Sequence, residues 1–137
     1  MNESSVSRCT RAGLLIAKGI HMLILVADDL PDTRDVMKLL LEMKGHTVVQ
    51  ASNGQEAVES TFRDHPDLIL MDLSMPVMDG LTAMQRIRAR DHTTPIVALS
   101  ALMGDAEWRA RAVRSGCNYC YSKPLDFDSL DEVLAAV

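Results

Sequence analysis

Four stretches of this chain end in side chains that could do chemistry together. Leu23-Ile24-Leu25-Val26-Ala27 runs into Asp28-Asp29, and Leu68-Ile69-Leu70-Met71 runs into Asp72. Ile96-Val97-Ala98-Leu99 runs into Ser100, and Lys123 follows a fourth stretch around Asn118 to Tyr121. The apolar runs have the pattern of strands buried on both faces. A charge on such a strand is costly unless it sits at the strand's end and meets a partner. Three carboxylates brought together cannot all stay ionised without a cation, because like charges raise one another's pKa. Lys123 supplies one positive charge. A hard divalent ion such as Mg²⁺, held by carboxylates, a backbone carbonyl and waters, would supply more. That set of groups suits phosphoryl transfer. Asp72 would be the nucleophile that forms an acyl phosphate, Mg²⁺ would bridge it to a phosphoryl oxygen, and Lys123 and the Ser100 hydroxyl would bind the remaining oxygens.

The elements needed to bring these groups together are legible along the chain. After the first strand, Met22 to Ala27, Pro31 suits the first turn of a helix over Asp32 to Lys44. Its expected buried stripe is Val36, Leu39, Leu40 and Met43, with Gly45 as the stop. His46 to Ala51 reads as strand two, and Asn53 with Glu56 resembles a capping box opening a helix to about Arg63. Strand three is the run ending in Asp72. Pro76 then breaks it, and Asp79 caps a helix with Leu81, Met84 and Ile87 inward, together with the stem of Arg88. Pro95 precedes strand four, and Asp105 caps a fourth helix with Ala106, Ala110 and Val113 inward and Gly116 as its stop. Strand five spans about Asn118 to Tyr121, and a last helix from about Asp128 carries Leu130, Val133, Leu134 and Val137. Five β-α units in this order imply an α/β fold with a parallel sheet, right-handed crossovers and helices on both faces. The carboxyl ends of parallel strands share one edge, so Asp28, Asp29, Asp72, Ser100 and Lys123 converge there.

Composition limits the alternatives. The chain has 137 residues, 47% of them hydrophobic, which fits a single core and is too apolar for disorder. The net charge of -5 gives no electrostatic support for nucleic-acid binding. No run approaches the roughly 18–20 apolar residues of a membrane span. Leu14-Leu15-Ile16-Ala17 is interrupted by Lys18 and is too short for the roughly 7–15-residue core of a secretion signal, so the expected location is the cytoplasm. Residues 1–21 read as an N-terminal extension, with a short helix or arm over Arg11 to Ile20, and residues 22–137 as the domain, with Met22 a candidate natural start. The last helix is complete only at Val137, so no output domain is expected after it. The three cysteines, Cys9, Cys117 and Cys120, argue against a disulfide framework. Cys117-Asn118-Tyr119-Cys120 is formally a C-x-x-C pair. The pair falls in the fifth strand, where an offset of three sends the side chains to opposite faces, and the expectation is two buried, inert thiols.

Taken together, Leu25-Val26-Ala27-Asp28-Asp29, Leu70-Met71-Asp72 with Met75-Pro76 and Met78-Asp79-Gly80, Pro95-Ile96-Val97-Ala98-Leu99-Ser100-Ala101, and Ser122-Lys123-Pro124-Leu125 resemble the receiver domain of bacterial two-component response regulators. The match covers about Met22 to Val137. The resemblance implies a doubly wound, five-stranded, flavodoxin-like (βα)5 fold with strand order 2-1-3-4-5. It implies that Asp72 is the phosphoacceptor, that Asp29 and the Ser74 backbone carbonyl are Mg²⁺ ligands with Asp72, and that Asp28 is an outer-shell partner. Ser100 and Lys123 match the switch hydroxyl and the phosphate-binding lysine, and Lys123-Pro124 matches a peptide bond that is commonly cis in the family. The implied donor is a sensor histidine kinase or a histidine phosphotransfer protein. A downstream protein partner is implied at the face made by helix four, strand five and helix five. Such a domain promotes its own Mg²⁺-dependent phosphorylation and dephosphorylation and is not a conventional multiple-turnover enzyme.

Two positions depart from the family pattern. Three residues before the lysine, where an aromatic usually turns inward as the switch hydroxyl moves, this chain has Cys120 between Tyr119 and Tyr121. The positions that tune access to the phosphoryl group are Ser74 and Leu102, and a leucine there could shield the acyl phosphate from water. Trp108, with Arg109, Arg111 and Arg114 on the fourth helix, is either partly covered on a solvated basic face or part of a docking surface. Two other classes compete. A phosphate-independent pseudo-receiver would use the fold only as an interaction module. An aspartate-nucleophile phosphohydrolase would need a second acid beside Asp72 to activate water, which the sequence lacks. A dinucleotide-binding domain fails because Asp28-Asp29-Leu30-Pro31 takes the place of a glycine-rich loop.

Overall fold

Each apolar run of the sequence is one strand of a five-stranded parallel sheet in the order β2-β1-β3-β4-β5. The computed structural model describes Gly19 and residues 21–137. The expected helix or arm before Gly19 and Cys9 lie outside the described residues. The strands are β1 (Leu23–Ala27), β2 (Thr47–Ala51), β3 (Leu68–Asp72), β4 (Ile96–Ser100) and β5 (Tyr119–Ser122). The helices between and after them are α1 (Pro31–Met43), α2 (Gly54–Asp64), α3 (Gly80–Arg88), α4 (Ala106–Ser115) and α5 (Phe127–Ala136).

Strand residues alternate between two cores. Leu25, Ile69, Met71, Ile96 and Ala98 face a cluster that includes Ala57 of α2, Met84 and Ile87 of α3 and Ala112 of α4. Ile24, Val26, Leu68, Leu70, Val97 and Leu99 face Met37 and Leu41 of α1 and Leu130, Val133 and Leu134 of α5. Burial on both faces is why β1, β3 and β4 read as continuous apolar runs, whereas the edge strands β2 and β5 are only partly buried.

The caps are largely those the sequence offers. Pro31 stands at the first turn of α1, and Asn53, Asp79, Asp105 and Asp126 each accept hydrogen bonds from the opening turn of their helix. At α2 the capping box is shifted: Asn53 accepts from the Glu56 amide, but Glu56 reaches back to the amide and hydroxyl of Ser52.

Two helical stripes are rotated from expectation. In α1 the buried residues are Met37 and Leu41, whereas Val36, Leu39 and Met43 are exposed. Six apolar residues between Val36 and Met43 make the periodicity fit adjacent faces equally well. The packed face continues to Lys44, whose stem is covered while its ammonium meets Asp131 and the Phe127 ring of α5. In α4, Ala106 and Val113 are exposed and Ala110 is half-buried; Ala112 and Ser115 are buried, with Trp108 half-buried on the same face. There a bulky aromatic and a small pair fit against the sheet better than the alanine stripe.

Candidate functional site

The register of the sheet sets the site. Asp72 ends β3 opposite Leu99, and Ser100 ends β4 opposite Ser122, one residue before Lys123. Asp28 directly follows β1, and its amide donates to the Ala51 carbonyl of β2. The strand ends therefore converge on one edge as expected, and Asp28, Asp72 and Ser100 are nearly fully buried there.

Asp28, Asp29 and Asp72 offer carboxylate oxygens that all lie within 4.8 Å of one another. Lys123 Nζ donates to Asp28 Oδ2 at 2.7 Å and lies 3.4 Å from Asp72 Oδ2. Asp28 Oδ1 accepts from the Leu30 amide, and Asp72 Oδ1 accepts from the Ser74 amide. Burial pushes the Asp72 carboxyl above its ordinary pKa, and the Asp28 charge adds to the rise; the Ser74 amide and Lys123 oppose it without cancelling it. For Lys123, burial disfavours the charged form, but the hydrogen bond to Asp28 and the pull of both carboxylates outweigh it and raise its pKa. The lysine is thus held as an ammonium. A compact all-oxygen donor set with surplus negative charge fits a hard divalent cation.

The backbone around these groups is closely fitted. Gly80, at the start of α3, lies so near β3 that a Cβ on it would come within 2.3 Å of the Asp72 carbonyl oxygen. Its amide donates to the Leu73 carbonyl. Between them the β3–α3 loop turns tightly at Val77, which has φ of 66° while the Met78 amide donates to the Pro76 carbonyl. Lys123-Pro124 is a cis peptide bond. Arg34 of α1 donates to the Asp28 carbonyl, a contact that no local pattern in the sequence announces. Beside Lys123 an apolar cleft of about 350 Å³ runs between α1 and the β5–α5 loop, lined by Leu30, Val36, Met37, Leu99 and Leu125 among others.

Ser100 is satisfied from its own side of the sheet. Its Oγ accepts from the Leu102 amide and from the indole Nε1 of Trp108, each at 3.0 Å. Leu102 itself is exposed in the β4–α4 loop. Cys120 packs at the edge of the α2-α3-α4 core. Its sulfur lies 3.3 Å from that of Cys117, so the two side chains do not diverge. The strand begins only at Tyr119, and Cys117 precedes it in the turn after α4, where strand alternation does not apply. Cys117 is buried, and burial together with its contact to Cys120 pushes its thiol up to about 12. That agrees with an unreactive thiol at Cys117, whereas Cys120, expected to be buried as well, is only partly so.

The fold and the sequence now point the same way. Residues 24–135 match the family model of the response regulator receiver domain. The chain belongs to that family. This receiver domain is 41% identical over 108 residues to an uncharacterised 14.6 kDa protein of Leptolyngbya boryana, covering 77% of this chain and 82% of that one. It is 36% identical over 107 residues to the sensor protein EvgS of Escherichia coli K12, covering 78% of this chain but 9% of EvgS. Among solved structures it resembles the receiver domain of the sensor histidine kinase PA1611 of Pseudomonas aeruginosa, with a TM-score of 0.78 and 32% identity over 85% of this chain and 96% of that one. The PA1611 structure has a magnesium ion coordinated in its active site cleft. The present chain is therefore a receiver domain of the two-component type, homologous to the receiver segments of sensor kinases. Among the described residues, no helix is long and apolar enough to cross a membrane.

Proposed function

We propose that this receiver domain accepts a phosphoryl group onto Asp72 from the phosphohistidine of a sensor kinase or a histidine phosphotransfer protein. The observation that carries this reading is the cluster of Asp28, Asp29 and Asp72 with Lys123 among them at one sheet edge. An Asp72 carboxylate oxygen forms the new bond to phosphorus, the phosphorus–nitrogen bond of the donor breaks, and the imidazole nitrogen keeps the electron pair. The Ser74 amide and Lys123 orient the attacking carboxylate. Lys123 and the Ser100 hydroxyl then bind the phosphoryl oxygens where charge spreads in the transition state.

Asp29, Asp72 and the Ser74 carbonyl would hold Mg²⁺, with Asp28 supporting from outside. When bound, that ion supplies positive charge that draws the phosphoryl group toward Asp72 and offsets its negative charge. The same groups support slow hydrolysis of the acyl phosphate, which makes the protein a self-modifying switch and not a turnover enzyme. Leu102, exposed above the strand ends, is read as a shield over the acyl phosphate. A downstream protein is read at the face of α4, β5 and α5. Residues 22–137 are read as the receiver unit, because Met22 is buried and its amide is tied to His46, while residues 1–21 are read as an extension. The cytoplasm is the location these roles require.

The test is intact-mass measurement after incubation with Mg²⁺ and acetyl phosphate. A single phosphate adduct that is missing in Asp72→Asn is expected. No adduct from acetyl phosphate or from a phosphorylated histidine donor would leave the fold as an interaction module alone. Rapid release of phosphate over many turnovers would make it a hydrolase.

A further inference from the structure

Trp108 is the contact through which Ser100 touches α4. A hydroxyl has two acceptor lone pairs and one proton. At Ser100 both acceptor positions are taken, one by the Leu102 amide of the following loop and one by the Trp108 indole. Its proton is the hydrogen-bonding capacity left for a new ligand at Asp72, and aiming it there turns the two lone pairs with it.

The indole is held from several sides. Asp105 caps α4 by accepting from the amides of Glu107 and Trp108, so the backbone that carries the ring is fixed at the helix start. The ring packs against the α2-α3-α4 core, the same cluster that Cys120 joins from β5. A cysteine at this place in β5 fills far less space than an aromatic. The Arg111 guanidinium lies over the ring, 4.9 Å from its centroid.

The geometry points to Trp108 as the positioning residue that couples Ser100 to α4, in the role that the small Cys120 leaves vacant. This inference rests on the phosphoacceptor reading of Asp72. When the Ser100 hydroxyl turns to donate to a phosphoryl oxygen on Asp72, its lone pairs turn away from Nε1. The indole loses its acceptor and swings outward, and the first turn of α4 loses the tie that holds it to β4. The acyl phosphate is thereby read out on α4 through a hydrogen bond and not through a rotating side chain of β5.

Trp108 is the chain's single tryptophan, so its fluorescence reports on this contact without labelling. The full chain is treated with Mg²⁺ alone and with Mg²⁺ plus acetyl phosphate, and intact mass records the adduct in the same samples. A red-shifted, more readily quenched emission that grows in proportion to the adduct is expected. Ser100→Ala should show that shifted emission before any donor is added, while Ser100→Thr, which keeps the hydroxyl, should not. Trp108→Phe should still form the adduct but lose the adduct-dependent change in amide hydrogen exchange over residues 105–115. Adduct without a change in emission, or a Ser100→Ala spectrum identical to wild type before donor, overturns the coupling and leaves the phosphoacceptor reading standing. No adduct in the wild-type chain overturns both.

Discussion

Lys123 Nζ lies 2.7 Å from Asp28 Oδ2, so this ammonium is bound first to the carboxylate beside the proposed nucleophile. Asp72 shares it at the longer distance of 3.4 Å. Removing the lysine leaves two buried carboxylates with no cation between them. Lys123→Ala should lose about 1–3 kcal/mol of stability in urea denaturation, the scale of a buried polar group left without its partner. Mg²⁺ should raise the melting temperature of this variant and of the wild type, because a ligand of the native state stabilises it by mass action. Asp29→Asn should weaken that response. A Lys123→Ala chain as stable as wild type would show that the ammonium is not what offsets the carboxylates.

The raised pKa of Asp72 has a definite sign. Above its folded-state pKa the carboxyl is ionised in both folded and unfolded chains, and the native state carries the full cost of burying the charge. As pH falls through the folded pKa, native Asp72 protonates first and the cost shrinks; it is gone below the ordinary value of 3.8. Asp72→Asn should therefore stabilise the protein at neutral pH. The gap between the two chains should close as the solution is acidified. Denaturation midpoints of both across that pH range check this, and a constant or reversed gap contradicts it.

At Gly80 the neighbours of an added methyl group are backbone atoms, the Asp72 carbonyl oxygen at 2.3 Å and Leu73 Cα at 2.8 Å, which cannot rotate aside. Gly80→Ala should cost about 1–3 kcal/mol, as other forced overpacking does. The phosphate adduct should also form more slowly, because the strain lands on the residue that carries the nucleophile. Gly104, with nothing within 4 Å of its position, is the control, and Gly104→Ala should be neutral in both measurements.

Leu102 stands exposed in the loop whose amide is tied to Ser100. If it screens the acyl phosphate from water, Leu102→Ala should shorten the lifetime of the adduct several-fold with little effect on stability. Decay of the adduct mass after removal of donor measures this directly. An unchanged or longer lifetime would remove Leu102 from that role.

The fold was legible because five β-α repeats leave few topologies and because strand ends in a parallel sheet must share an edge. That geometry alone placed Asp28, Asp29, Asp72, Ser100 and Lys123 together from a linear reading. What escaped depends on contacts that have no local signature. Met37 and Leu41, not Val36, Leu39 and Met43, face the sheet because the apolar arc of α1 is wider than one stripe and Lys44 closes the packed side. Cys117 meets Cys120 because β5 starts two residues later than Cys117, so the alternation that separates residues three apart in a strand does not reach it. The Trp108–Ser100 bond spans a loop and a helix cap, and periodicity treats Trp108 only as a large residue on a basic helix.

The division of the interior by the sheet has a consequence for how this protein can vary. Side chains of α1 and α5 pack on one face of the strands and those of α2, α3 and α4 on the other, in two separate clusters. Substitutions on opposite faces, such as Leu41→Ala and Ile87→Ala, should then sum almost independently in free energy. Each layer can be remodelled while the other keeps the strand ends in place, so the interior can change on one face of the sheet without disturbing the carboxylates at its edge.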